Sequence, residues 1–163
     1  MPTKSSVELA RPEEYHALLV PAIVRMSETP GYADCAPALF EPGAMQALSG
    51  HIKTMAESPN IFLLVCRDDS GAATGFLLGY VQPQWYSHEL EGIQEFLWIE
   101  PEHRGGLTLR RLMRRFEVEC AARGAAFITI GVSSGERVEA FSRLARRMGY
   151  STKTALFKKC IRR

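Results

Sequence analysis

The chain contains no apolar run long enough to cross a bilayer, so no membrane span is expected. No secretory signal is expected, since Met1-Pro-Thr-Lys-Ser-Ser6 leads straight into a strand-like Val7-Glu-Leu-Ala10, and the expected location is cytoplasmic. Charge of one sign is scarce. The 20 Lys and Arg against 18 Asp and Glu leave a net charge of +2, too little to argue for a nucleic-acid partner. Cysteine is sparse and unpatterned. Cys35, Cys66, Cys120 and Cys160 form no Cys-x-x-Cys pair and have apolar neighbours, which favours buried free thiols over disulfides. His16, His51, His88 and His103 show no ligand spacing, so no metal is expected. Neither an internal repeat nor a low-complexity linker is present. What remains is 163 residues, 46% apolar and 23% charged, as in an ordinary globular protein. That length supports one domain, residues 1–163, with a real core.

Periodicity and turn chemistry divide the chain into alternating elements. Val7–Arg11 reads as a strand. Pro12 to Met26 reads as a helix, with Pro at a first-turn position and Pro21 as a place to kink. Thr29-Pro-Gly-Tyr-Ala-Asp34 is turn-rich. A second helix is expected from Pro42 to Glu57, with Met45, Leu48, Ile52 and Met55 on one face. Ile61–Arg67 is a buried strand, and Asp68-Asp-Ser-Gly71 has the composition of a hairpin turn. Strands follow at Ala73–Gln84 and Glu91–Ile99. After the helix stop at Arg123-Gly124 comes a hydrophobic strand, Ala125–Val132. A helix over Glu136–Met148 turns Val138, Phe141, Leu144 and Met148 inward, and Ser151–Ile161 supplies a closing strand.

The segment from Glu95 to Phe116 carries the most information. A strand meets a Pro and Gly break, Pro101-Glu-His-Arg-Gly-Gly106, and then an amphipathic helix. Leu109, Leu112, Met113, Phe116 and Cys120 fall at i, i+3, i+4, i+7 and i+11, one apolar stripe. Arg110, Arg111, Arg114 and Arg115 fall on the opposite face. Like charges at i,i+4 cost a few tenths of a kcal/mol per pair. Arginines in the first turns also oppose the helix dipole. An anion docked at the helix start would offset both costs, since the first N–H groups of a helix have no partner within it. The other reading is a solvated basic face partly balanced by Glu117 and Glu119.

Ile99-Glu-Pro-Glu-His-Arg-Gly-Gly106, followed by a helix, resembles motif A of the GNAT superfamily, the Gcn5-related N-acetyltransferases. In that family the backbone amides of such a turn hold the pyrophosphate of acetyl-CoA. Aligned without gaps, the family's two later glycines correspond to Leu107 and Leu109, a pattern similar to a branch often encoded by bacteriophages. Two further stretches are similar to the family: Arg123-Gly-Ala125 leading into a β-rich run, and Leu144-Ala-Arg-Arg-Met-Gly-Tyr150 near the end of the last helix. The family's usual tyrosine in that helix falls on Ala145. The resemblance covers nearly the whole chain. It implies an α/β (α+β) GNAT fold: a mixed, mostly antiparallel central sheet, a V-shaped splay between two parallel strands, and flanking helices.

The implied activity is direct transfer of an acetyl group from acetyl-CoA to an amine. Acetyl-CoA is then a cosubstrate and no metal is required. Pyrophosphate binding is assigned to Arg104, Gly105, Gly106, Leu107, Thr108 and Leu109, with Arg110 for phosphate charge. The pantetheine arm is assigned to the splay, between Leu97-Trp98-Ile99 and Ile130–Val132. Glu95 is the candidate general base, as the strand carboxylate nearest the acyl end. Its alternative is a strand acid facing solvent or paired with an arginine; Glu91 and Glu100 are weaker candidates for the base. With Ala145 lacking a hydroxyl, Ser142, Tyr150 or Ser133 would have to protonate the thiolate. Trp85 and Tyr86, in the loop Gln82–Glu89, are expected to wall an acceptor site or to form a homodimer contact. The acceptor is an amine-bearing small molecule or a protein. Two other functions compete. One is a degenerate module that binds CoA or a protein without turnover. The other is a nucleic-acid or structural binding protein using Arg104–Arg115 and the terminal Lys158-Lys-Cys-Ile-Arg-Arg163, which the balanced charge and the lack of interleaved aromatics disfavour.

Overall fold

A computed structural model describes residues 6–28, 41–105, 107–132 and 138–151. Five strands form one sheet in the order β1-β2-β3-β4-β5: β1 Ser6–Leu9, β2 Ile61–Arg67, β3 Ala73–Pro83, β4 Leu90–Ile99 and β5 Ala125–Thr129. The first three junctions are antiparallel and β4–β5 is parallel. Helices α1 (Tyr15–Ser27), α2 (Ala44–Glu57), α3 (Thr108–Ala122) and α4 (Val138–Arg147) complete the described elements. The mixed sheet with one parallel pair and flanking helices is the expected architecture.

The sheet has a core on each face. Alternation along β2 sends Leu63 and Val65 toward α1 and α2, where they meet Leu19, Ala22 and Ile52. Phe62, Leu64 and Cys66 go the other way, to Leu112, Phe116 and Cys120 of α3. Burial on both sides explains why β2 reads as an unbroken hydrophobic run. Tyr15 joins α1 to the sheet: the Leu63 N–H donates to its hydroxyl at 3.0 Å. The two described cysteines, Cys66 and Cys120, are free and buried; Cys35 and Cys160 lie outside the described residues.

Several expectations shift at their edges. Pro12 opens a 3-10 turn, Pro12–Glu14, and the α-helix proper begins at Tyr15. The expected stripe of α2 is incomplete: Ile52 is buried, Leu48 and Met55 flank the core, and Met45 is exposed. Val138 was expected inward in α4, but it is also exposed, and Ala145 is the buried residue of that helix. β5 stops at Thr129 although the apolar run continues to Val132. The turn-rich patch at Thr29–Asp34 and the closing strand beyond Ser151 lie outside the described residues. No described helix is long and apolar enough to cross a membrane.

Candidate active site

Where β4 and β5 diverge, the sheet opens. Their pairing runs from Leu90 opposite Ala125 to Ile93 opposite Thr129 and then ends. From Gln94 to Ile99, β4 has no strand neighbour on that side among the described residues. Its backbone groups along this edge are available to a ligand lying in the opening. The Gln94 side chain bridges the mouth, its carbonyl oxygen accepting from the Gly131 N–H at 3.2 Å. The opening therefore lies between Leu97-Trp98-Ile99 and the extension of β5 through Ile130–Val132.

On its other edge, β4 carries a β-bulge. Leu78 faces Phe96 and Gly79 faces Gln94, so Glu95 is an extra residue with no partner across. A bulge puts two successive residues on one face. Phe96 and Trp98 join the core under α1 and α2, while Leu97 and Ile99 join the core under α3. Glu95 thus shares the face of Phe96 and stands exposed beside the opening. Tyr80 of β3 faces Ile93, with Glu91 on the near side and Glu95 on the far side. Burial pushes the Tyr80 phenol up, and the carboxylates of Glu95 and Glu91 push it further. Glu91 accepts a hydrogen bond from the Thr129 hydroxyl across the parallel pair.

Beyond Ile99 the chain turns through Pro101–His103, with the Glu100 N–H bonded to the Thr74 carbonyl at 3.0 Å. Arg104 folds back: its Nε donates to the Ile99 carbonyl at 2.9 Å, and its guanidinium lies 5.1 Å from the Trp98 ring centre. Gly105 has φ +88°, the left-handed region that favours glycine. Gly106 lies outside the described residues. Leu107 caps α3, exposed and without a side-chain cap, and the buried Thr108 is the first helical residue. The amides of Leu107 to Arg110 have no partner among the described residues, since the first bond recorded there runs from the Arg111 N–H to the Leu107 carbonyl. Beside this turn is an open hollow of about 440 Å³ lined by Val7, Leu107, Arg110, Arg111 and Arg114. Arg114 pairs with Glu117 at 3.1 Å and Arg115 with Glu119 at 2.5 Å. Arg110 and Arg111 make no ion pair among the described residues. Among the described residues the basic face is thus half neutralised, and Arg110 and Arg111 adjoin the amides of Leu107 to Arg110.

The remaining candidates are dispersed. Tyr150 follows α4 and packs on α3, its hydroxyl sealed from solvent beside the Glu117 carboxylate but without a hydrogen bond of good geometry. Burial drives that phenol far up, and Glu117 adds to the shift. Cys120, its other neighbour on α3, packs against Gly92, so Tyr150 and Glu95 lie on opposite faces of the sheet. Ser142 is half-buried on α4, three residues before the buried Ala145. Ser133 lies outside the described residues. Trp85 and Tyr86 stand at the β3–β4 tip, 94% and 67% exposed, edge-to-face at 5.2 Å. They do not cover the core. Sequence reasoning did not single out Tyr80 or Thr129. Their signal was positional: both flank strand acids, which only the register reveals. Among the described residues, no group of three or more His, Cys, Asp or Glu is placed to hold a metal ion.

No protein-family model and no curated protein matches the chain. Solved structures do. An aminoglycoside acetyltransferase from an uncultured soil metagenomic sample is similar over 98% of this chain and 99% of its own, with a TM-score of 0.72 at 18% identity. A transcriptional regulator from Bacillus halodurans C-125 is similar over 96% and 99%, with a TM-score of 0.73 at 15% identity. The aminoglycoside N-acetyltransferase AAC(6')-Iy, in complex with the bisubstrate analog CoA-S-monomethyl-acetylneamine, covers 97% and 98%, with a TM-score of 0.67 at 13% identity. At these identities the likeness shows the fold, which is that of the GNAT acetyltransferases.

Proposed function

We propose that the protein transfers an acetyl group from acetyl-CoA to an amine. One observation supports this reading: among the described residues, the β4 edge beyond Ile93 has no strand neighbour, the amides of Leu107 to Arg110 have no partner, and Arg110 and Arg111 beside them make no ion pair. A ligand with an amide-bearing arm and a pyrophosphate needs both features, in that order. The turn from Arg104 to Leu109 would hold the phosphates, with Arg110 supplying charge. The β4 edge through Leu97, Trp98 and Ile99 would pair with the arm. Arg104 contributes its backbone and shapes the turn through Ile99 and Trp98.

In the reaction, the amine nitrogen attacks the thioester carbonyl carbon. A C–N bond forms, the C–S bond breaks, and CoA leaves as thiolate. Glu95 takes the proton from the attacking nitrogen, directly or through a water. Its position supports this role, because it is an exposed carboxylate on β4 two residues beyond the last one paired with β5. The acids Glu91 and Glu95 suit an acceptor that arrives as a cation. The exposed Trp85–Tyr86 pair offers that acceptor an apolar wall. Ser142 and Tyr150 remain candidates for returning a proton to the thiolate.

Two measurements test the proposal. Acetyl-CoA at 100 times its dissociation constant should stabilise the fold by about 2.7 kcal/mol if it binds only the folded state. Glu95→Gln should retain that stabilisation and lower acetyl transfer by roughly 10²–10⁴-fold. No thermal shift at millimolar acetyl-CoA would overturn the CoA reading. Binding without transfer to a broad amine panel would point to a module that binds CoA without turnover.

A further inference from the structure

The geometry points to Tyr80 as a positioning residue that holds the Glu95 carboxylate in one orientation on the face of the sheet they share. The inference rests on the acetyl-transfer reading and deepens it. A residue pushed out of a β-ladder loses the neighbour that would steer its side chain. Glu95 is such a residue, and an exposed carboxylate on a bulge has many orientations of similar energy. A base must meet its proton within hydrogen-bond reach, so one of those orientations has to be favoured.

The register shows what can favour it. Tyr80 faces Ile93, and Glu91 and Glu95 flank that pair on the same face. Diagonal neighbours in an antiparallel pair lie within reach of a long aromatic side chain. The two acids are not equivalent. Glu91 already accepts from the Thr129 hydroxyl of β5, whereas Glu95 has no recorded side-chain partner among the described residues. On its other side, Tyr80 faces the apolar Ile61 of β2, which offers no acceptor. The phenol is half-buried, and both its surroundings and the two acids keep it protonated. A neutral phenol between two carboxylates is a donor, and Glu95 is the one with unclaimed lone pairs. Tyr80 touches no reacting atom in this arrangement. Its effect on transfer passes through Glu95.

The test is a double-mutant cycle in the full-length chain, with Tyr80→Phe and Glu95→Gln alone and combined. Each variant is assayed for acetyl transfer and for thermal stabilisation by acetyl-CoA. Tyr80→Phe removes only the hydroxyl, so CoA stabilisation should persist. It should lower kcat by roughly 10-fold or more, the scale of one hydrogen bond to a charged group. In the Glu95→Gln background it should cost nothing further, because the carboxylate it orients is gone. A structural role would instead give losses that multiply. Multiplying losses, or a Tyr80→Phe enzyme that matches the parent while Glu95→Gln is impaired, would overturn the positioning role and leave Glu95 as base. If Glu95→Gln alone matches the parent, the base assignment falls and this inference falls with it. Should Tyr80→Phe lose the acetyl-CoA stabilisation, Tyr80 supports the fold or the CoA site, and the inference is likewise overturned.

Discussion

Gly79 sits where α3 presses closely on the sheet. A Cβ there would lie 2.3 Å from Cε2 of Phe116 and 3.1 Å from the Ile93 carbonyl oxygen. Phe116 is fully buried and cannot swing away freely. Gly79→Ala should therefore destabilise by about 1–3 kcal/mol, the range for overpacking a filled core. Urea unfolding of the variant against the parent measures this, and an unchanged midpoint would mean the ring has room to move. Gly92 obeys the same rule against Cys120, with a Cβ placed 2.3 Å from Sγ. Neither glycine stands at a turn. Nothing local in the sequence separates them from ordinary strand glycines, because the constraint comes from Phe116 and Cys120 of α3, far along the chain from either glycine.

At the scale of elements, α3 was the most legible part of the chain and β4 the least. The α3 stripe is visible because a helix on a sheet must bury one face: of its five expected residues Leu112, Met113, Phe116 and Cys120 are buried, while Leu109, in the first turn, is half-buried. The β4 bulge left no trace. Gln94 and Glu95 are both polar, and a skipped backbone partner has no side-chain signature. The end of β5 was hidden for a related reason: Ile130 and Val132 are apolar enough to extend the strand, but pairing stops where the sheet opens. The turn before α3 was found by its glycines, yet Arg104 turns away to Ile99 and Trp98, a choice of rotamer that composition does not encode. The start of α3 gives a direct test of its basic face. Arg110 is exposed and makes no ion pair among the described residues, so Arg110→Glu should leave the melting temperature nearly unchanged. The same change places an acid beside the proposed phosphates and should weaken CoA roughly 10-fold or more by calorimetry. Unchanged affinity would mean that this face is simply solvated.

Across the whole molecule, acid sensitivity should concentrate at the β1 edge. Arg67 joins Glu8 and Glu14, each at 2.6 Å, and so fastens the first strand and the turn after it to β2. The Arg11 N–H, followed by the Arg11 and Arg67 guanidiniums, holds the Glu14 carboxyl below its ordinary value. A depressed carboxyl stabilises the fold above the ordinary carboxylate range, and the contribution is lost as pH falls through its folded-state value. Melting temperature should therefore decline on acidification, and Glu14→Gln should flatten that decline while lowering stability near neutrality. A parallel decline in the variant would place the sensitive group elsewhere. The extra residue in β4 has a consequence of another kind. Gly92 and Leu97 serve the same core although they lie an odd number of positions apart, with four residues between them, so the strand changes parity once, at Glu95. Deleting Glu95 outright would restore even counting. Leu90 to Gln94 and Phe96 to Ile99 would then alternate without interruption, each still on its present side. The shortened chain should fold cooperatively, with circular dichroism like the parent's, and transfer no acetyl group. A strand that packs better for losing one residue would show that this residue is kept for chemistry, at the expense of regularity.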